Sequence, residues 1–254
     1  MINGLRKREF NGGGVSEIDE GGFRLGIPAI SGGQYALAQL DDYMSLRRRK
    51  FPHQAPVRLS LEARVSGEHI RGTWGFGFWN DPFSYGFGGG GTIKSLPVLP
   101  NAAWFFFGSK ENHLSLRDDL PGSGFHVKTF RSPLLPSFLS LFALPALPTM
   151  LFPASARFLR KAAARIVRED ALAIPIPVGD WHLYQLDWAK SEVRFCVDDQ
   201  VILTTPTSPR GPLGLVIWID NQFFQFDPKG KMGFGSLQTD HEQFLMVRNL
   251  NLNH

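Results

Sequence analysis

The sequence of 254 residues contains a single cysteine, Cys196, which excludes an internal disulfide. We interpret Cys196 as an ordinary strand thiol. The first ten residues carry basic side chains that no apolar segment follows, so they do not have the pattern of a secretory signal. We therefore expect a cytoplasmic location, and peripheral attachment to a membrane remains an open alternative.

Several other functional signals are missing. The net charge of +4 is too small an excess to indicate nucleic acid as a partner. His113, His126 and His182 do not have a metal-ligand spacing, and the glycine run at Gly88–Gly91 lacks the Lys-Ser/Thr ending of a phosphate-binding loop. The sequence therefore predicts no metal and no cofactor.

The chain is rich in aromatic residues and in turn formers, with 22 Phe, 6 Trp, 27 Gly and 18 Pro. This composition is typical of many short strands joined by turns. The clearest pattern lies between residues 181 and 203, where strand-favouring runs alternate with polar turns such as Asp198-Asp199. Val193, Phe195 and Val197 share one face of the middle run. We predict three consecutive antiparallel strands here, within an all-β protein.

Two earlier segments predict strands with distinctive faces. The run at residues 73–79 places three rings on one face and two glycines on the other; the rings are Trp74, Phe76 and Phe78, and the glycines are Gly75 and Gly77. Glycine weakens a strand unless another group must approach its backbone closely, so we expect a second sheet or a ligand over this face. Ala102–Gly108 is apolar on both faces, which predicts a central strand.

We divide the chain into a loose glycine-rich lead-in at residues 1–21 and one β-sandwich domain at residues 22–254. An insertion at residues 133–168 interrupts the domain. Residues 132–156 contain no charged side chain, and their length would suffice to span a bilayer, but Pro136, Pro145, Pro148 and Pro153 interrupt them and argue against a spanning helix.

The residues that follow this apolar stretch predict a basic amphipathic helix. Its basic side chains fall on one helical face: Arg157, Arg160, Lys161, Arg165 and Arg168. The insertion is either a lid over the aromatic strands or a membrane contact. A second basic run, at residues 47–50, is interpreted as a solvated loop because no other basic cluster is near it in sequence.

Three motifs resemble the concanavalin A-like lectin/glucanase superfamily, and within it the laminarinase and licheninase group of glycoside hydrolases. They are the paired segments 59–64 and 72–79, the segment 181–199, and Gly214–Trp218. The resemblance covers residues 20–130 and 170–254. It implies a jelly-roll sandwich of two antiparallel sheets with a concave ligand groove.

The resemblance fails where that family carries its catalytic acids. The family's Glu-x-Asp-x-Glu strand corresponds to Ala102–Gly108, which displays rings and no carboxylate. No catalytic residue can be carried over, because a ring supplies neither nucleophile nor general acid. The remaining candidate acids are Asp81, Glu111 and Asp220. If the protein is an enzyme, the resemblance implies a hydrolase of the glycoside hydrolase type.

The aromatic residues are the predicted ligand groove: Trp74, Phe76, Phe78, Trp79, Trp104, Phe106 and Trp218. Such rings stack on sugars, which predicts a carbohydrate-binding domain. An apolar groove for a lipid-like or terpenoid molecule, with residues 133–168 as a membrane-associating lid, is the first alternative. An active glycosidase that uses non-standard acids is the second alternative.

Overall fold

The structure is a computed structural model that describes residues 4–82, 96–136 and 152–254. The glycine-rich loop at Gly86–Gly91 lies outside the described residues, as does most of the uncharged stretch at residues 132–156. The strands are β1 (Arg6–Phe10), β2 (Gly14–Ile18), β3 (Gly22–Ile27), β4 (Leu37–Asp41), β5 (Val57–Val65), β6 (Thr73–Trp79), β7 (Ala102–Gly108), β8 (Gly124–Arg131), β9 (Arg168–Ala173), β10 (His182–Trp188), β11 (Val193–Val197), β12 (Gln200–Thr205), β13 (Gly214–Asp220), β14 (Gln222–Phe226), β15 (Met232–Ser236) and β16 (Gln243–Asn253). The helix α1 is Pro153–Ile166, and two 3₁₀ turns lie at Asp19–Gly21 and Arg48–Lys50.

The strands form two antiparallel sheets of seven strands each and one separate hairpin. The first sheet has the order β1-β4-β13-β6-β7-β8-β9, and the second has the order β12-β11-β10-β5-β16-β3-β2. β14 and β15 form the hairpin. Because strands distant in sequence are neighbours within each sheet, the connections cross from one sheet to the other, as in jelly rolls. The predicted all-β sandwich is confirmed.

The hydrophobic core lies between the two sheets and follows the alternation of the strands. In β5 every second residue from Val57 to Val65 is buried. The three consecutive antiparallel strands that were predicted between residues 181 and 203 are also confirmed, because β10 pairs with β11 and β11 pairs with β12. A period of two places one side of each strand in the core and leaves the other side for solvent or a site.

Three of the predicted groove residues belong to this core: Trp74, Phe76 and Phe78. None of the three is more than 1% exposed. The ring of Phe76 contacts Tyr184 edge-on at 5.1 Å between centroids, and Phe78 lies 5.7 Å from Trp188. Since Tyr184 and Trp188 belong to the second sheet, the prediction that these three rings line a groove is wrong. The second sheet covers them.

The prediction of a loose lead-in at residues 1–21 is also wrong. β1 pairs with β4 at one edge of the first sheet, and β2 pairs with β3 at one edge of the second. Asn11 and Gly12 connect the two strands with positive φ angles of 46° and 81°. The glycine-rich segment is therefore a tight turn that passes the chain from one sheet to the other.

Gly75 lies on the outer face of the first sheet, beneath the indole ring of Trp218. A Cβ atom on Gly75 would lie 2.3 Å from the backbone oxygen of Phe105 and 2.8 Å from a ring carbon of Trp218. Only glycine permits these two groups to approach so closely. The group that the glycine accommodates is thus a side chain of the neighbouring strand β13.

We expect Gly75→Ala to lower the free energy of unfolding by about 3 kcal/mol, because the Trp218 ring and the Phe105 carbonyl must both move. Urea unfolding followed by tryptophan fluorescence measures the change. The matched control is Gly14→Ala, since a Cβ on Gly14 meets no atom within 4 Å. A loss as large for Gly14→Ala as for Gly75→Ala would contradict the packing argument.

Candidate ligand-binding site

A pocket of about 170 Å³ lies on the outer face of the first sheet. The aromatic lining residues are Tyr35, Tyr43, Trp79, Trp104, Phe106, Trp218, Phe223, Phe224 and Phe234. The polar lining residues are Arg8, Gln39, Thr73, Asp81, Asn112, Asp220 and Gln222. Pockets for drug-sized ligands measure roughly 300–1,000 Å³, so this pocket fits a group of about one ring.

Indole rings form the floor of the pocket. The ring centroid of Trp104 lies 5.7 Å from that of Trp218 and 5.8 Å from that of Trp79. The strand register explains this arrangement, because Gly75 pairs with Trp218 on one side of β6 and Gly77 pairs with Trp104 on the other. The Trp218 ring lies over Gly75, and the Cα and Cβ atoms of Trp104 lie against Gly77, so both tryptophans approach β6 closely.

Four of the predicted groove residues therefore line the pocket: Trp79, Trp104, Phe106 and Trp218. They come from three adjacent strands, β6, β7 and β13. The Nε1 donor of Trp104 is buried and has no hydrogen-bond partner among residues 4–82, 96–136 and 152–254. The Nε1 donor of Trp218 donates to Thr73 Oγ1 at 2.9 Å.

Asp220, at the end of β13, is the buried carboxylate of the pocket. Its Oδ1 accepts hydrogen bonds from Thr73 Oγ1 at 2.7 Å and from the backbone N–H of Gln222 at 3.2 Å. Burial raises the pKa of Asp220 to about 7, although these hydrogen bonds lower it. The carboxyl group is thus poised to exchange a proton near neutral pH.

Tyr35 and Arg8 are among the lining residues that the sequence did not predict. The hydroxyl of Tyr35 donates to Asp220 Oδ2 at 3.4 Å, and burial beside that carboxylate raises the pKa of Tyr35 well above its usual value. Arg8 supplies the only cation among the lining residues, and its guanidinium contacts Met44 Sδ at 3.9 Å. Arg8 was missed because it belongs to the segment that was interpreted as a lead-in.

The three candidate acids do not form a catalytic pair. Asp220 lies beside Thr73 at one end of β6, while Asp81 follows Trp79 at the other end, roughly 20 Å away at about 3.3 Å per residue. Glu111 pairs with Arg71 at 3.2 Å and does not line the pocket. Glycosidase carboxylates are about 5–9.5 Å apart, so these positions do not support that mechanism.

A buried polar cluster holds the walls of the pocket in place. The guanidinium of Arg160, in α1, donates to the backbone oxygens of Ser115 and Phe226 at 2.8 and 3.2 Å. Lys128 and Glu169 form a buried ion pair at 2.9 Å, and Glu169 accepts from the Ser115 hydroxyl at 2.8 Å. The helix thereby fixes the loop after β7 and the β14–β15 hairpin, both of which contribute lining residues.

This anchoring corrects the predicted helical faces. Arg160 turns inward and is 3% exposed, so it does not share an outer basic face with Arg157, Lys161 and Arg165. Arg168 lies beyond the helix, in β9. Among the described residues, no helix is long and apolar enough to cross a bilayer. In the same part of the chain, no group of three His, Cys, Asp or Glu side chains is arranged to hold a metal ion.

Two seven-stranded antiparallel sheets define a jelly-roll sandwich of the concanavalin A-like type, and an aromatic pocket lies on the outer face of one sheet. No protein-family model matches the chain, and no curated protein sequence matches it.

Solved structures with this fold match almost the whole chain. The endo-β-1,4-glucuronan lyase of Trichoderma reesei is 11% identical with a TM-score of 0.50, over 99% of this chain and 92% of its own. A family 16 endo-glucanase of Bacteroides ovatus is 9% identical with a TM-score of 0.49, over 99% and 96%. The β-glucanase of Bacillus licheniformis is 10% identical with a TM-score of 0.47, over 98% and 92%. At 11% identity, the likeness to the lyase shows the fold alone.

The raised pKa of Asp220 makes stability depend on pH. The unfolded carboxyl ionises near pH 4 and the folded one near pH 7, so stability present below pH 4 is lost as the pH rises to 7. The loss is on the order of 4 kcal/mol. We expect Asp220→Asn, which cannot ionise, to lose much less stability over this interval than the wild type.

Urea unfolding at a series of pH values measures the difference. The control is Asp187→Asn, because Asp187 is a partly exposed carboxylate paired with Arg58 on the second sheet. The free energy of unfolding of this control should change with pH as it does in the wild type. If the free energy of unfolding of Asp220→Asn also changes with pH as in the wild type, the raised pKa of Asp220 is wrong.

Proposed function

We propose that the protein binds a carbohydrate in the aromatic pocket, with one sugar ring seated against Trp104 and Trp218. The observation that carries the proposal is the set of neighbouring indole rings on the outer face of the first sheet. Flat aromatic faces stack on the apolar C–H surface of a sugar, and polar groups at the edge of a pocket bind hydroxyl groups.

The polar lining suits such a ligand. Arg8 and the unpartnered Nε1 of Trp104 can donate hydrogen bonds, and Asp220 can accept one or, when protonated, donate one. The pocket volume of about 170 Å³ matches a single ring better than a long chain buried along its length. The fold is also that of a glucuronan lyase, an enzyme that acts on a glycan.

The proposal is binding without hydrolysis. The hydrolytic mechanisms of glycosidases use two carboxyl groups that flank the scissile bond. In this pocket Asp220 lies among rings, and Asp81 lies at the far end of β6. The rings of Trp104 and Phe106 lie on β7, which corresponds to the strand that carries the acids in the family that the sequence resembles.

We expect Trp104→Ala to weaken binding of the recognised glycan about tenfold, because an aromatic contact contributes up to about 1.5 kcal/mol beyond its buried area and about 1.4 kcal/mol corresponds to a factor of ten. Affinity electrophoresis against neutral β-glucans and a polyglucuronate would identify the ligand and measure the loss. The matched control is Trp181→Ala. The Trp181 ring stacks with Arg248 at 4.4 Å, away from the pocket, so this variant should bind like the wild type.

Two outcomes would contradict the proposal. Folded wild-type protein that no glycan retards would exclude carbohydrate binding in the pocket. Release of reducing ends or of unsaturated uronates, abolished by Asp220→Asn, would show that the protein is an enzyme. Both products can be assayed in the same incubations.

A second candidate function is favoured by the outward surface of α1. Phe158, Ala162 and Ile166 follow one another at intervals of four residues, and Phe158 is 70% exposed. The exposed Arg157, Lys161 and Arg165 form an adjacent stripe at the same spacing. An exposed apolar stripe beside a basic one is typical of helices that lie on anionic membranes. This surface and the largely aromatic pocket support an apolar-ligand protein that works at a membrane surface.

For this second candidate we expect Phe158→Ser to reduce co-flotation with vesicles of phosphatidylcholine and phosphatidylserine by several-fold. The Phe158 ring, once inserted among the lipids, supplies most of the apolar contact between the helix and the membrane. Val201→Ser is the control, because Val201 is also exposed but lies in β12 of the second sheet. Equal flotation of the two variants would remove the helix from the interaction.

A further inference from the structure

A second cleft lies at the end of the first sheet where β6 and β8 finish and β7 begins. Its volume is about 700 Å³, and it is independent of the aromatic pocket. Four arginines line it: Arg47, Arg48, Arg49 and Arg210. We refer to it as the arginine cleft. None of the residues that line it is acidic.

The fold brings these arginines together from two distant loops. The Arg48 guanidinium donates to the backbone oxygen of Asp81 at 2.9 and 2.7 Å and to that of Asn80 at 3.1 Å. The backbone N–H of Arg210 donates to Asn101 Oδ1 at 2.8 Å. Asn80 and Asn101 are joined in turn, because the N–H of Asn101 donates to Asn80 Oδ1 at 3.0 Å.

These hydrogen bonds give the arginines of the cleft different roles. Arg48 is bound to backbone carbonyls and holds its 3₁₀ turn against the sheet. Arg47, Arg49 and Arg210 are exposed, and they form no ion pair within residues 4–82, 96–136 and 152–254. The sequence alone indicated a solvated loop at residues 47–50, because Arg210 is not near it along the chain. In the structure, three arginines without an ion-pair partner among the described residues share one cleft.

Apolar side chains also line the cleft. Leu134 and Leu135 line it together with Val98 and Leu99, and Leu134 is 60% exposed. Guanidinium groups bind phosphate oxygens in a bidentate geometry, and a group with two negative charges suits several of them. We propose that the arginine cleft binds a phosphate monoester that carries an apolar chain.

A short-chain phosphatidic acid, used below the concentration at which it forms micelles, is the probe, and calorimetry measures its binding. We expect the triple variant Arg47→Gln, Arg49→Gln, Arg210→Gln to bind at least tenfold more weakly than the wild type. The control removes three charges elsewhere, with Lys110→Gln, Lys190→Gln and Arg194→Gln, and should bind like the wild type. If the triple variant does not fold, Arg210→Gln alone must weaken binding several-fold.

Recognition of the phosphate itself has three further signatures. Inorganic phosphate should displace the probe, and short-chain phosphatidylcholine should not bind. Affinity should increase as the pH rises through about 6, where a phosphate monoester acquires its second charge while arginine stays protonated. Equal binding of the two short-chain lipids, or equal affinities of the triple variant and the wild type, would overturn the proposal.

Vesicles distinguish a membrane headgroup from a soluble phosphate. If the natural ligand is a headgroup, phosphatidylcholine vesicles that contain phosphatidic acid should bind the wild type and release the triple variant. If it is soluble, the same vesicles should bind neither protein, while the short-chain probe still binds the wild type. Vesicles that bind both proteins equally tightly would show that the arginines take no part in vesicle binding and would refute the headgroup source.

Discussion

The close approach of two tryptophan residues to the glycines of β6 is the constraint on which the rest of the structure depends. Gly75 lies beneath the ring of Trp218, and Gly77 lies against the Cα and Cβ atoms of Trp104, so a side chain at either glycine would clash. The opposite face of the same strand carries rings that fill the core between the sheets. One alternating strand therefore builds both the core and the floor of the pocket, because its two faces meet different partners.

The aromatic floor determines what chemistry the pocket can perform. Rings exclude water from Asp220, and the same desolvation that raises the pKa of this carboxyl makes a second buried charge beside it costly. A site of this kind favours a ligand that presents an apolar face and a few hydrogen-bonding groups. The buried Arg160 and the Lys128–Glu169 pair supply rigidity at a distance from the rings, since they fix the segments that wall the pocket.

Much of the fold could be predicted because alternation is a local property of the chain. The strands within residues 181–203 were identified from their period of two, and Ala102–Gly108 was identified from a run that is apolar on both faces. Residues 1–21 were misjudged because their strands are polar and lie at sheet edges, where pairing and not burial defines them. The helix was predicted, but not the inward turn of Arg160, because its partners are carbonyls of distant segments.

The sequence by itself determined the all-β class, the aromatic and carboxylate-free character of β7, and the presence of one ring-bearing and one glycine-bearing face on β6. Only the tertiary structure decided which of those faces is core and which is pocket, since both are apolar and a period of two does not identify the partner sheet. The tertiary structure also brought Arg210 into the same cleft as Arg47 and Arg49, and it placed Asp81 and Asp220 at opposite ends of β6. Such distances depend on strand order and register, which arise from pairings between residues far apart in the chain.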